Sequence, residues 1–318
     1  MTAAPRSPTG AWTWLVRAVA AAAVLVVGWV ATTAWEAVLH AHPAYPVLLA
    51  LTVAGAGVAG WRSRRPRARP GRWRTVGRVV LLLVGILWVA AVAWLRPFGA
   101  VQPALDAMRS DRTVAVTESP TRITFSPRST ASDVGLLFQP GARVDARAYA
   151  AVLRPLAEAG HPVVVVKQPL GIGFLATSAL DGARAEHPEV TRWVVGGHSL
   201  GGTVAALEAD AADDDATAPA AGLLLFASYP ASDVSRSLTA AVASVSGTRD
   251  GLATPADIAA SRALLPPGTV FTVVEGGSHA QFGDYGAQPG DGTATLDHDE
   301  ARRQISAAAL ALLDSLDR

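Results

Sequence analysis

Gly197-His198-Ser199-Leu200-Gly201 sets a serine hydroxyl where it can act as a nucleophile. The pentapeptide lies between an apolar run, residues 193–195, and a helix-like run, residues 202–212. A strand that turns sharply into a helix forces a strained backbone on the residue at its tip. Glycines on either side let neighbouring main chain come close, so the hydroxyl stands out where a base can reach it. In a chain with 29 glycines the pentapeptide alone carries little weight, and its surroundings decide. A serine nucleophile needs a base, and the base needs an acid to orient it. Downstream, an apolar run at 221–227 is followed by a run at 240–246 that leads into Gly247-Thr248-Arg249-Asp250-Gly251. A further run at 270–274 leads into Glu275-Gly276-Gly277-Ser278-His279. Asp250 and His279 each follow the carboxyl end of a predicted strand, where open parallel sheets gather reactive groups. Asp250 also reads as a turn residue in an Asp-Gly pair, and Asp233 is the alternative acid. His161 precedes a strand and so stands at its wrong end, and His187 fits the base position less well than His279. His298 follows Asp297, which with Glu300 reads as a capping box opening the last helix. His198 reads as a packing residue of the turn.

These residues resemble those of a known family. Residues 113–318, about two thirds of the chain, look like a small α/β-hydrolase of the dienelactone-hydrolase-like type. The resemblance rests on residues 197–202 for the nucleophile, 247–251 for the acid and 276–279 for the base. It implies a Ser-Asp-His triad of Ser199, Asp250 and His279, working on an ester through an acyl-enzyme without metal or cofactor. One oxyanion donor is then the main-chain N–H of Leu200, just after the nucleophile. The other is assigned to Ala142, in the loop Gln139-Pro140-Gly141-Ala142; the family often carries a His-Gly pair where this chain has Pro140-Gly141. The run 280–286, with Gly290-Asp291-Gly292, also resembles a pattern in bacterial members, and it implies no chemistry by itself. The same triad serves an acyltransferase on envelope lipids or glycans when an alcohol outcompetes water. A non-catalytic scaffold on this fold has no physical need for all three residues.

The surrounding pattern supplies elements to carry them. Residues 113–118 and 122–126, joined across Ser119-Pro120, read as a hairpin. A strand at 134–138, a helix at 145–159 ended by Gly160 and a buried strand at 163–167 follow. Strands then alternate with helices up to a last helix at 299–316. This predicts an α/β fold over residues 101–318, a mainly parallel sheet with helices on both faces. Only a short link, 228–237, follows the run ending near Ala227, so no large lid is expected. Leu170, Ile172, Phe174, Tyr229 and Phe282 are candidate apolar walls, and residues 97–112 read as a linker.

The first hundred residues differ in kind. Mean hydropathy over the chain is +0.29, and the excess lies there. Three apolar stretches, 18–35, 45–61 and 79–95, approach the ~20 residues a membrane span needs, with ~17 as the lower limit. Gly55, Ala56, Ala59 and Gly60 suit close helix packing in the second. Trp12, Trp14, Trp35, Trp61, Trp73 and Trp94 lie near the ends, as interfacial rings do. Arg62, Arg64, Arg65, Arg67, Arg69, Arg72, Arg74 and Arg78 crowd the link between the second and third stretches, while 36–44 has no Lys or Arg. Positive charge stays inside, so the N-terminus and the arginine-rich link are expected in the cytoplasm. Everything after Leu95 is expected outside the cell membrane. The arginines suit anionic lipid better than nucleic acid, and a net charge of +1 gives no global field for nucleic acid. The expected partners are a small-molecule or lipid ester and membrane lipids; no oligomeric state follows. With no cysteine, neither a disulfide framework nor a cysteine metal site is available. Glu36, His40 and His42 read as ordinary loop residues, and Asp213-Asp214-Asp215 as a solvated loop. Asp284, Asp291 and Asp297 match no calcium-loop spacing.

Overall fold

Aliphatic runs and arginine-bearing flanks together make the helices of the first hundred residues in a computed structural model that describes residues 10–64, 72–214 and 218–317. Arg65, Arg67, Arg69 and Asp215 lie outside the described residues. The chain divides into two units, residues 1–39 with 43–96, and residues 97–318 with 40–42. The first holds α1 (Ala11–Thr33), all but the last residue of α2 (Trp35–His40), α3 (Ala44–Arg62) and α4 (Arg72–Trp94). Helices α1, α3 and α4 are long and apolar enough to cross a membrane, at 23, 19 and 23 residues with mean hydropathies of 2.1, 1.5 and 2.5. Helix α1 packs on both α3 and α4. Trp88 Nε1 donates to Thr52 Oγ1 at 2.9 Å and Tyr45 Oη donates to Leu95 O at 2.9 Å, polar ties of the kind that hold apolar helices together.

Helices α1 and α4 begin about two turns earlier than their charge-free runs, at Ala11 and Arg72. Arginine is a good helix former, so the apolar run marks only the part of each helix suited to lipid. Arg72, Arg74 and Arg78 therefore sit on α4 rather than in a link. Residues 35–40, expected as a loop, form α2.

The second unit is an eight-stranded sheet of β1 (Val114–Glu118), β2 (Arg122–Pro127), β3 (Val134–Gln139), β4 (Val163–Val166), β5 (Arg192–His198), β6 (Gly222–Phe226), β7 (Ala241–Gly247) and β8 (Val270–Val274). Their order is β1-β2-β4-β3-β5-β6-β7-β8. The β1–β2 hairpin is antiparallel and joins β4 antiparallel. All other pairings are parallel. The strand pattern has period two: Leu136, Phe138, Val163, Val165, Val194, Leu224 and Phe226 enter one buried cluster. Leu137, Val164, Val195, Leu223 and Leu225 enter the other. Helices α6 (Ala150–Glu158) and α10 (His298–Leu316) cover the first face, and a short α9 (Pro255–Ser261) lies between β7 and β8 in the chain. Helices α7 (Ala179–Glu186) and α8 (Leu200–Asp213) cover the second. A sheet buried on both faces explains why the parallel strands read as continuous apolar runs.

Two local expectations are corrected. Residues 97–112 are not a linker: the Phe98 N–H donates to Arg143 O, the Val101 N–H donates to Asp284 O, and α5 (Ala104–Ala107) buries Ala104 completely. Apolar Phe98, Ala104 and Met108 join the first cluster. The helix expected at 145–159 splits into a 3₁₀ turn, Ala146–Tyr149, capped by Asp145, and then α6. Because β3, β5, β6, β7 and β8 run in one direction, their carboxyl ends form one rim. The loops after Gln139, His198, Gly247 and Val274 all leave from it.

Candidate active site

The turn from β5 into α8 holds Ser199 at φ 52° and ψ −125°. For a residue with a Cβ such a backbone costs ~1–3 kcal/mol and persists only where its surroundings overdetermine it. Here the Ser199 N–H donates to Phe226 O at 3.0 Å. The Ser199 carbonyl accepts from Ser228 Oγ at 2.6 Å and from the Gly202 N–H at 2.9 Å. Glycine is required at 201, because a Cβ there collides with the carbonyls of Gln139 and Pro140. The first turn of α8 is thus pressed against the loop after β3. Ser199 and Leu200 remain partly exposed.

His279 opens a 3₁₀ turn, His279–Phe282, after β8. Its Nδ1 lies 2.8 Å from Asp250 Oδ2, and both side chains are buried. Asp250 Oδ1 accepts from the Leu252 and Ala253 N–H groups, each at 2.8 Å. With Nδ1–H donating to the carboxylate, the lone pair sits on Nε2, which is buried and makes no hydrogen bond. That is the tautomer a general base needs, and such bonds often tighten only when substrate is present.

His198 lies beside the pair, its ring centroid 4.5 Å from that of His279. The Gly141 N–H donates to Tyr149 Oη at 2.8 Å, so the Tyr149 hydroxyl donates onward to His198 Nδ1 at 2.9 Å. Burial and the neighbouring His279 hold His198 well below the usual histidine range, and burial pushes the Tyr149 phenol up. This chain ties the loop after β3 to the wall behind the pair. The next N–H, that of Ala142, has no acceptor among the described residues, and neither has that of Leu200.

A second buried network lies under the same loop. Gln168 Nε2 donates to Gln139 Oε1 at 2.9 Å and to Pro140 O at 3.0 Å. Gln139 Nε2 donates to Glu208 Oε2 at 2.8 Å, and Glu208 Oε1 accepts from the Ala179 and Leu180 N–H groups. Burial raises the Glu208 carboxyl to about 7 against these donors. Neither network is legible in the sequence, since each joins residues far apart along the chain.

The other candidates lie elsewhere. Asp233 is exposed and accepts from the Ser235 N–H at 2.9 Å. His161 bridges Val134 O and Asp314. His187 pairs with Glu189, and His298 lies 3.4 Å from Asp284. Leu170 and Ile172 are partly exposed, and Phe174 and Tyr229 are exposed. Phe282 is not a wall: it is fully buried and stacked on His198, because the 3₁₀ turn after His279 carries it into the core. Asp284 is paired with Arg302 and Asp297 caps α10, and no group of three metal-ligating side chains occurs among the described residues.

A model of the alpha/beta hydrolase family matches residues 135–303. No curated protein matches the sequence significantly. Among solved structures, carboxyl esterase 2 of the mycorrhizal fungus Tuber melanosporum aligns at 14% identity and a TM-score of 0.49, covering 69% of this chain and 91% of its own. A protein described as a predicted CIB-like hydrolase of Thermoplasma acidophilum aligns at 14% identity and 0.48, covering 63% and 100%. A thermostable esterase of Pseudomonas putida aligns at 17% identity and 0.45, covering 67% and 87%.

Proposed function

Because the chain belongs to the alpha/beta hydrolase family, we propose that it is a membrane-anchored serine hydrolase that cleaves carboxylic esters. The observation that carries this reading is the buried His279–Asp250 pair at 2.8 Å, on the same sheet rim as a serine at φ 52°. Ser199 Oγ attacks the ester carbonyl and passes its proton to His279 Nε2. Asp250 stabilises the resulting imidazolium. The Leu200 and Ala142 N–H groups hold the oxyanion, each donor being worth about 10²–10³ in turnover. Collapse expels the alcohol, protonated by His279, and water then cleaves the acyl-enzyme by the same steps. A neutral His198 suits this sequence. A second cation 4.5 Å from the imidazolium would oppose it by about 4 kcal/mol at an effective dielectric constant of 20.

Leu170, Ile172, Phe174 and Tyr229 supply apolar surface for a small or extended acyl group. The arginine bias supports a cytoplasmic N-terminus and an extracytoplasmic hydrolase unit, anchored by α1, α3 and α4. The test uses the full chain in detergent micelles with p-nitrophenyl esters of increasing acyl length. Turnover is expected to fall about 10⁴–10⁶-fold in Ser199→Ala. A folded Ser199→Ala chain keeping more than a tenth of wild-type turnover would sink the assignment.

A further inference from the structure

The loop that closes the pattern after His279 holds an aspartate, Asp291, three of whose four hydrogen bonds lead back to the site. Asp291 Oδ1 accepts from the main-chain N–H groups of Gly251 at 3.2 Å, His279 at 3.1 Å and Gly292 at 2.7 Å. Its Oδ2 accepts from the Ala280 N–H at 2.8 Å. One carboxylate therefore takes four N–H groups from three stretches of chain. One donor follows Asp250, and two belong to the base and the residue after it. The acid loop and the base loop leave different strands, β7 and β8, and Oδ1 is shared between them.

We propose that Asp291 is a positioning residue for the His279–Asp250 pair, the clamp that fixes the two loops in register so that Nδ1 and Oδ2 meet. This rests on the serine-hydrolase reading above. The β7–β8 ladder and two bonds above it, the Arg249 N–H to Gly277 O and the Gly276 N–H to Thr248 Oγ1, each at 2.8 Å, join the bases of the two loops. Asp291 bridges Gly251, beside Asp250, to His279 itself, where the side chains of the pair leave the backbone. Burial pushes the Asp291 carboxyl up, but the four N–H groups outweigh it and hold it below the usual carboxylate range. It is thus a full anion at neutral pH, and charge-assisted bonds to N–H groups are the stronger kind. The carboxylate's geometry is what the clamp needs, since an amide nitrogen cannot accept. In Asp291→Asn either Ala280 or the Gly251–His279 bridge loses its acceptor.

The test compares full-length wild type, Asp291→Asn and Asp291→Ser in detergent micelles. Asp111→Asn is the control: Asp111 also accepts from two main-chain N–H groups, those of Thr113 and Val114, but at the edge strand β1. Three readings are taken: kcat and KM on a p-nitrophenyl ester, the rate of fluorophosphonate labelling, and the downfield proton resonance of the His279–Asp250 hydrogen bond. A misplacement of about 1 Å at reacting groups costs about 10²-fold. We expect kcat and labelling rate to fall about ten- to hundred-fold in both Asp291 variants, with KM unchanged and the downfield resonance shifted or broadened. Asp111→Asn is expected to change none of the three. If Asp291→Asn unfolds, Asp291→Ser, which retains one acceptor oxygen, decides. Wild-type labelling rate and resonance in a folded Asp291 variant overturn the clamp and leave the hydrolase reading standing. A wild type that neither labels nor turns over overturns the hydrolase reading and its catalytic consequence; an unmoved resonance in the variants then rejects the clamp as well.

Discussion

Replacing Asp250 by asparagine removes one charge and almost no volume, and the hydrogen bonds around it decide the outcome. Oδ1 faces two donors, the Leu252 and Ala253 N–H groups at 2.8 Å, and Oδ2 faces His279 Nδ1 at 2.8 Å. An asparagine must turn its oxygen to the two N–H groups and its NH₂ to the imidazole. The NH₂ then donates to Nδ1, the ring proton moves to Nε2, and His279 cannot take a proton from Ser199. The flipped amide restores the working tautomer only by leaving two N–H groups without an acceptor, at about 1–3 kcal/mol each. A gap of about 2–6 kcal/mol populates the productive form at about one part in thirty to one in 10⁴, so kcat should fall by that factor. KM should change little, because the charge of Asp250 matters most once the imidazolium forms in the transition state. The assay is steady-state hydrolysis of a p-nitrophenyl ester by the full chain in micelles, with Asp233→Asn as a comparison expected to keep wild-type kcat. A folded Asp250→Asn chain that keeps more than a tenth of kcat refutes the tautomer argument; a large loss in Asp233→Asn would move the acid there.

Three further outcomes are expected. Gly141 needs space rather than a positive φ: a Cβ would lie 2.7 Å from His198 Nδ1 and 3.1 Å from Tyr149 Oη. Gly141→Ala must therefore move the Ala142 donor or the His198 ring, and turnover is expected to fall about 10²-fold with about 1–3 kcal/mol of stability, read by ester kinetics and chemical denaturation. Glu208 has a folded-state pKa raised from 4.5 to about 7, so the folded state holds its proton more tightly than the unfolded chain. Stability should fall as pH rises through that window, by about 2.5 kcal/mol between pH 5 and pH 8, and Glu208→Gln should flatten the slope in denaturation curves. The natural chain has no cysteine, so Ser129→Cys and Arg64→Cys report topology directly. In intact cells a membrane-impermeant maleimide should label Ser129→Cys and not Arg64→Cys, and the reverse pattern would invert the proposed orientation.

What the sequence revealed and what it hid follow from sequence distance. The turn at Ser199 was legible because strand, glycines and helix are contiguous, and the positions of Asp250 and His279 because each follows an apolar run. The Tyr149–His198 bond joins residues 49 apart and the Gln139–Glu208 bond residues 69 apart. Neither leaves a periodic trace, because a buried polar group is paired in space and not along the chain. Phe282 misleads for a local reason: an aromatic just after the base reads as a cleft wall until the 3₁₀ turn reverses its direction. At 97–112, prolines and charges mask an apolar signal at Phe98, Ala104 and Met108 that marks packing against the sheet. On α1 and α4, hydropathy found the stretch suited to lipid and missed the arginine-bearing turns that begin each helix.

The most direct measurement of the central claim is the intact mass of the full chain after a fluorophosphonate probe, with the modified peptide sequenced. An activated serine predicts one adduct, on Ser199, formed by wild type and absent from Ser199→Ala and His279→Ala. A folded wild type that forms no adduct, or one that carries it on another serine, contradicts the account.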